Sequence, residues 1–302
     1  MAGTATTGLI VRGISTRKWY GPFRLTARFA RRSPLGAVGV TIILALVLMA
    51  IIGPHVAPYD PTELGTAPKY RAPSLSGGNL LGTDQLGRDV LSRVLHGAWI
   101  SLVVGVAAST GGTLVGAMMG LASGYWSGRA DALIQRIVDI MMSFPVLILA
   151  LALLAALDRS LTTLIIAIAV PFIPYGARVV RASALVIKQT QYVEAARAIG
   201  ASDLRIIFRH VAPGCFAPYM VVVTGLIGVA IITESALGFL GLGIPPPTPT
   251  WGEMLSNALT LLVHAPHVAI VPGVFITLAV FSFSVLGDSL RDVLDPRLRG
   301  RV

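Results

Sequence analysis

Few residues of this chain have the types and spacing of a reactive centre. His264 and His267 stand three apart, but Pro266 between them opposes the helical turn that would aim both rings at one metal ion. Two solvated or snorkelling rings are the simpler reading. Asp288, Asp292 and Asp295 alternate with Arg291 and Arg297, the pattern of a solvated, salt-bridged helix end. The nearest approach to the Gly-x-Ser-Gly of intramembrane serine proteolysis, Leu121-Ala122-Ser123-Gly124, lacks its first glycine, and His-Glu-x-x-His is absent. No Gly-Lys pair occurs, so no Gly-x-x-x-x-Gly-Lys-Ser/Thr loop can cradle phosphates in its backbone N–H groups. Cys215 is the only cysteine, which excludes an internal disulfide and a cysteine-based zinc site. The chain reads as a non-catalytic protein with no metal site.

One segment is patterned beyond what a connector needs. Gln189–Gly214 reads QTQYVEAARAIGASDLRIIFRHVAPG. Good helix formers run through Glu194-Ala195-Ala196-Arg197-Ala198, and Gly200 follows where a helix C-terminus takes a left-handed residue. Ser202 is placed to N-cap a second helix, Asp203–Val211, which Pro213 closes. Apolar Ile206, Ile207 and Val211 lie among Arg205, Arg209 and His210. The spacing predicts a short helix–turn–helix that docks, either on the protein's own spans or on a partner.

The elements that must position this segment are membrane helices. Charged residues are 13% of 302, against roughly a quarter in soluble domains, and 54% are hydrophobic. A bilayer core of about 30 Å needs about 20 apolar helical residues. Uncharged runs of about that length fall at Leu35–Gly53, Trp99–Gly128, Ile140–Leu157, Ser160–Ala177, Val211–Thr233 and Val268–Gly287. Backbone polar groups in lipid must be satisfied internally, so the fold class is an all-α integral membrane protein with six transmembrane helices. Leu35–Gly53 follows too long a leader for a secretory signal and reads as an uncleaved anchor.

The net charge of +10 orients the chain. Residues 1–34 carry seven basic side chains (Arg12, Arg17, Lys18, Arg24, Arg28, Arg31, Arg32) and no acid. The 188–214 loop carries Lys188, Arg197, Arg205 and Arg209, with Arg178 and Arg181 just before it, against Glu194 and Asp203. The 241–267 stretch on the other side has Glu253 as its only charge. That is the positive-inside pattern, with both termini cytoplasmic. The basicity therefore orients the chain in a membrane, and nucleic acid is not an expected partner.

Pro54–Ala98, rich in Pro, Gly and Ser, reads as an external loop between the anchor and a five-helix core, and Gly241–Pro266 as a second. Gly112, Gly116, Gly120 and Gly124 recur every fourth residue, leaving one helix face bare. A helix-packing seam is the plain reading, and a pore-lining or hinge role is compatible with it. Glu234 is the one ionisable group within an apolar span, where it either faces a translocation path or pairs with an external base, Arg88 or Arg93. One such carboxylate is thin support for an ion-coupled secondary transporter, the alternative of a different class. Transport that survives ATP depletion with ion gradients intact would single that alternative out.

These residues resemble a family. Glu194-Ala195-Ala196, Gly200 four residues after Ala196, then Ile206-Ile207, His210 and Pro213 look like the EAA loop of binding-protein-dependent ABC importer permeases. Gly214 departs from it, since the family usually has Asn after the Pro. Leu81-Gly82-Thr83-Asp84-Gln85-Leu86-Gly87-Arg88-Asp89, Leu237–Gly243 with Pro246 and Trp251-Gly252, and Gly287–Arg297 are similar to segments of the dipeptide/oligopeptide/nickel group. The anchor and large first loop resemble its C-type partner.

The resemblance implies a type I ABC importer permease-like core over 99–287 in the cell (inner/plasma) membrane. It also implies ATPase coupling through 188–214 by Glu194, Ala195, Ala196, Gly200, Ala201, Ile206, Ile207, His210 and Pro213, with the apolar Ile206-Ile207 edge expected to face outward into a groove of the ATPase. The expected partners are a homologous second permease, one or two cytoplasmic ABC ATPase subunits, an extracytoplasmic substrate-binding protein and the lipid bilayer. ATP and Mg are then bound by the partner ATPases, and this chain holds no cofactor. Small peptides are the expected cargo, with nickel or another small solute as the alternative.

Overall fold

The computed structural model describes residues 33–74, 78–258 and 264–294. The basic segment up to Arg32 and the tail beyond Leu294 lie outside them. The helices are α1 (Pro34–Val56), α2 (Val90–Trp126), α3 (Gly128–Met142), α4 (Val146–Ala156), α5 (Leu161–Ala169), α6 (Ile173–Ile187), α7 (Gln191–Ala198), α8 (Asp203–Ile206), α9 (Ala212–Phe239), α10 (Trp251–Ala258) and α11 (His267–Leu294). A 3-10 turn, Val170–Phe172, joins α5 to α6, and a π turn, Ile207–Val211, joins α8 to α9. Among the described residues there is no strand, only an isolated bridge between Thr83 and Asp89.

Five helical stretches are long and apolar enough to cross a membrane, and α3 with α4 makes a sixth, bent by 90°. The expected uninterrupted span Ile140–Leu157 is therefore corrected. Pro145 is the N-cap of α4, and a proline both lacks the N–H that would continue α3 and pushes Phe144 out of helical geometry. The bent pair still returns the chain across the bundle. Added Cβ atoms at Gly112, Gly116 and Gly120 would strike the carbonyls of Ala169, Ile173 and Ala177, and one at Gly124 would lie 3.0 Å from that of Arg181. Each four-residue step along α2 matches a four-residue step along α5–α6, so the two run parallel. Parallel neighbours joined by 127–160 need a crossing between them, and α3–α4 supplies it. Gly176 approaches Thr113 in the same way, so the bare stripe is met from both sides.

The first connecting loop is shorter than the 54–98 expected, because α1 continues through Pro54 to Val56 and α2 starts at Val90. Asp89 sets that start: its carboxylate accepts from Ser92 N at 2.8 Å. The 57–89 loop folds into a cap. Asp84 accepts from Leu86 N (2.8 Å), Arg88 N (3.0 Å) and Arg88 Nε (2.6 Å). Asn79 Nδ2 donates to Asp89 at 2.9 Å. Gly87 takes φ +73°, and a Cβ added there would lie 2.6 Å from Ala67 O, a place without room for a side chain.

The second loop contains α10, a helix that proline-rich 245–249 concealed in the sequence. Trp251 is fully buried and donates to Val94 O at 3.2 Å, and Gln85 reaches Asn257 at 3.2 Å. The two loops thus form one layer over the helix ends. Apolar clusters hold α1, α2, α9 and α11 together on one side, and α2, α4, α5 and α9 on the other.

Candidate functional site

The 191–211 segment begins with α7, whose Ala196 and Val193 face inward while Glu194 and Ala195 are exposed. α7 ends as its sequence dictates. Gly200 has φ +79°, Gly200 N donates to Arg197 O at 3.0 Å, and Ala201 N donates to Ala196 O at 3.1 Å. Those two bonds are a Schellman closure, which satisfies carbonyls that a helix end leaves orphaned. It assigns Ala196 and Ala201 a joint task, since they pack together in the cluster beneath.

Two expectations need correction here. Pro213 does not close a second helix. α8, the π turn and α9 form one continuous helix, Asp203–Phe239, in which Pro213 directly follows the π turn, a local widening that accommodates a residue with no N–H to donate. Ser202 sits at the N-cap position but makes no side-chain bond there. Nor do Ile206 and Ile207 face outward. Both are buried, packed with Val180, Ala184, Val211 and Cys215 of the chain's own core. An apolar pair at the base of a long helix is covered by neighbouring spans before any partner arrives.

The exposed apolar side chains of the segment are others: Ile199 (85% exposed), Leu204 (60%) and Phe208 (67%), with Tyr192 beside them. They flank Gly200 in the sequence and are interspersed with exposed Arg197, Arg205 and Arg209. Exposed isoleucine, leucine and phenylalanine within one short segment form a contact surface that the described residues leave uncovered. His210 is half-buried, its ring 6.3 Å from that of Tyr192, whose hydroxyl donates to His210 O at 3.4 Å.

The segment is fastened to the end of α2. Tyr125 Oη donates to Asp203 Oδ1 at 2.6 Å. Lys188 Nζ donates to Gly124 O at 2.8 Å and to the Ser127 hydroxyl. Arg181 holds Asp131 of α3 through two bonds of 2.7 and 2.6 Å, and Ser123 also donates to Asp131. Tyr125 and Lys188 carried no motif, and only their place beside the segment marks them.

Glu234 lies on α9 near the cap, fully buried. Its pairing with Arg88 or Arg93 is not made. Arg88 is taken by Asp84, and Arg93 by Glu253 at 2.6 Å. Glu234 Oε2 instead accepts from Ser101 at 3.1 Å and Ser235 at 3.3 Å, and Oε1 has no partner among the described residues. His267 stands 3.3 Å from Thr83 O, and among the described residues no three His, Cys, Asp or Glu side chains converge on a metal position.

Residues 112–300 match the family described as binding-protein-dependent transport system inner membrane component. Residues 21–73 match the N-terminal transmembrane domain of oligopeptide transport permease C. The chain is 41% identical over 278 residues to a peptide transport system permease protein of Brucella suis, covering 92% of this chain and 93% of that one. It is 44% identical over 271 residues to the glutathione transport system permease protein GsiD of Escherichia coli, covering 89% of each. The fold resembles a solved chain of the MetNI methionine ABC transporter in inward-facing conformations, with a TM-score of 0.55 at 20% identity over 67% of this chain and 96% of that one.

Proposed function

The chain belongs to the binding-protein-dependent transport system inner membrane components, and from that premise we propose that it forms half of a path for small peptides, coupled to cytoplasmic ATPases through its 191–211 segment. It is the permease subunit of an ABC importer, a multi-pass membrane protein that is not itself the ATPase. Peptides, glutathione among them, are the proposed cargo because relatives over about nine-tenths of the chain carry those names. The proposed partners are a homologous but different second permease, one or two ATPase subunits and an extracytoplasmic binding protein. The proposed seat is the inner or plasma membrane, with both termini and the 191–211 segment cytoplasmic.

The observation that carries the coupling role is the exposure of apolar Ile199, Leu204 and Phe208 on both sides of a Gly200 turn closed by two backbone hydrogen bonds. A connector has no need of a closed turn, and a surface of that kind wants a protein partner. Glu194 and Ala195 lie exposed beside it, while Ala196, Ala201, Ile206 and Ile207 hold it in place from beneath. The separation of tasks is physical: outward residues make contact, and inward residues transmit displacement to α9 and α6.

Reconstitution tests the reading. The chain, its partner permease and the ATPases are placed in proteoliposomes with the binding protein, and uptake of trialanine and of glutathione is followed with and without ATP. Uptake that requires every component and ATP, and that persists when ionophores collapse ion gradients, is the expected result. Gradient-driven uptake by this chain alone would replace the proposal with a secondary transporter.

A further inference from the structure

Two helical stretches depart from regular geometry side by side, one at a sharp bend and one at a 3-10 turn. α3 gives way to α4 through Ser143-Phe144-Pro145, and α5 passes to α6 through Val170–Phe172. Between the breaks lies a cleft of about 280 Å³, lined among others by Met142, Ser143, Phe144, Pro145, Pro171 and Tyr175. Its depth follows from the helix rise. Within the 27-residue stretch Leu161–Ile187, Pro171 stands about 15 Å from one end and about 24 Å from the other at 1.5 Å per residue. A hydrocarbon core of about 30 Å therefore contains it near the centre.

Residues 142–145 are all exposed. Irregular backbone exposed at that depth cannot face lipid, where an unpaired N–H or C=O costs several kcal/mol, so it faces water or protein. The surface is concave, which fits a lumen better than the protruding side chains of a packed subunit interface. Both walls are stapled together just beside the cleft, by Arg178 to Asp139 at 2.7 Å and by Arg181 to Asp131. The second of these staples adjoins Ser123 and Lys188, hence the 191–211 segment.

We propose that this cleft is the subunit's share of the solute path, a water-filled constriction where Met142, Phe144 and Tyr175 meet the passing cargo. The proposal rests on the permease reading and adds the residues and chemistry of the path. No charged side chain is among the lining residues, so the constriction makes no demand on cargo charge. Methionine and aromatic surfaces adapt to many shapes, which suits small peptides of varied side chains.

Thiol accessibility tests it. Cys215 is buried, so a single introduced cysteine is the reactive one. Phe144→Cys, Tyr175→Cys and the smaller change Ser143→Cys are made in the full assembly in nanodiscs, with Leu44→Cys on exposed α1 as the lipid-facing control. Co-purification with the partner permease and the ATPases verifies that each variant assembles. A charged methanethiosulfonate should modify at least two of the three path positions more than tenfold faster than Leu44→Cys, in the nucleotide-free or the vanadate-trapped state. Rates below that in both states overturn the inference. So does labelling that appears only when the partner permease is left out, because the cleft is then a subunit interface. Failure of the wild-type assembly to import trialanine or glutathione sinks the peptide-permease reading instead, and is scored separately from the labelling rates.

Discussion

The Tyr125 hydroxyl and the Asp203 carboxylate meet at 2.6 Å, joining the last turn of α2 to the first turn of the helix that becomes α9. Tyr125→Phe keeps the ring and removes only that bond, a loss of about 1.5–3 kcal/mol for a bond to a charged acceptor. The expected outcome is normal membrane insertion with a several-fold drop in substrate-stimulated ATP hydrolysis. Unchanged stimulation in reconstituted assemblies would show that the tie plays no part in coupling.

Gly200 has φ +79° and open space around its α-carbon, so a substitution there is opposed by backbone strain and by nothing else. Gly200→Val should cost about 1–2 kcal/mol or more and open the turn, whereas Gly200→Asn, which tolerates left-handed geometry, should retain most activity. Glu194→Lys, on the exposed side of α7, should insert normally and lose uptake. Uptake by all three variants at the wild-type rate would reduce the segment to a connector.

Gly116→Leu drives a side chain into Ile173 O on α6, while Gly111→Leu, earlier on the same helix, enters open space. The first should lower the midpoint of thermal unfolding in lipid by the equivalent of about 1–3 kcal/mol or fail to assemble, and the second should be neutral. Equal melting of the two variants would contradict the close parallel packing of α2 on α5–α6.

Arg93 is buried and shared between Glu253 at 2.6 Å and Pro61 O at 3.0 Å. Arg93→Leu strands the Glu253 carboxylate and should destabilise the 57–89 cap by about 3–5 kcal/mol. Adding Glu253→Leu should recover part of that loss, read as reduced protease sensitivity of the cap. No recovery would mean that the pair does not act as a unit.

An impermeant thiol reagent applied to intact cells should modify Thr248→Cys, in the loop before α10, and spare Ser202→Cys beside Gly200. The reverse result would invert the proposed orientation.

Gly200 was legible in the sequence because glycine after strong helix formers is the usual left-handed terminator of a helix, and the structure gives it positive φ. The direction of Ile206-Ile207 was not legible. An apolar pair at a membrane boundary suits the chain's own core as well as a partner's groove, and only packing decides. Pro213 misled for a related reason: proline commonly ends a helix, but here the π turn before it carries the helix through. The apolar run 140–157 concealed a break because hydropathy does not register Pro145. Glu234 needed tertiary information, since Arg88 and Arg93 find acids closer to hand in Asp84 and Glu253.

The unbroken course of Asp203–Phe239 makes it a lever. Its 37 residues measure about 55 Å at 1.5 Å per residue, so a tilt of about 5° about Asp203 carries Phe239 sideways by about 5 Å. Ser256 grips Phe239 O at 2.7 Å, and Gly252 lies against the backbone of Ser235. The layer over the opposite helix ends must then travel with the rod, and no relay of intermediate side chains is required to move it.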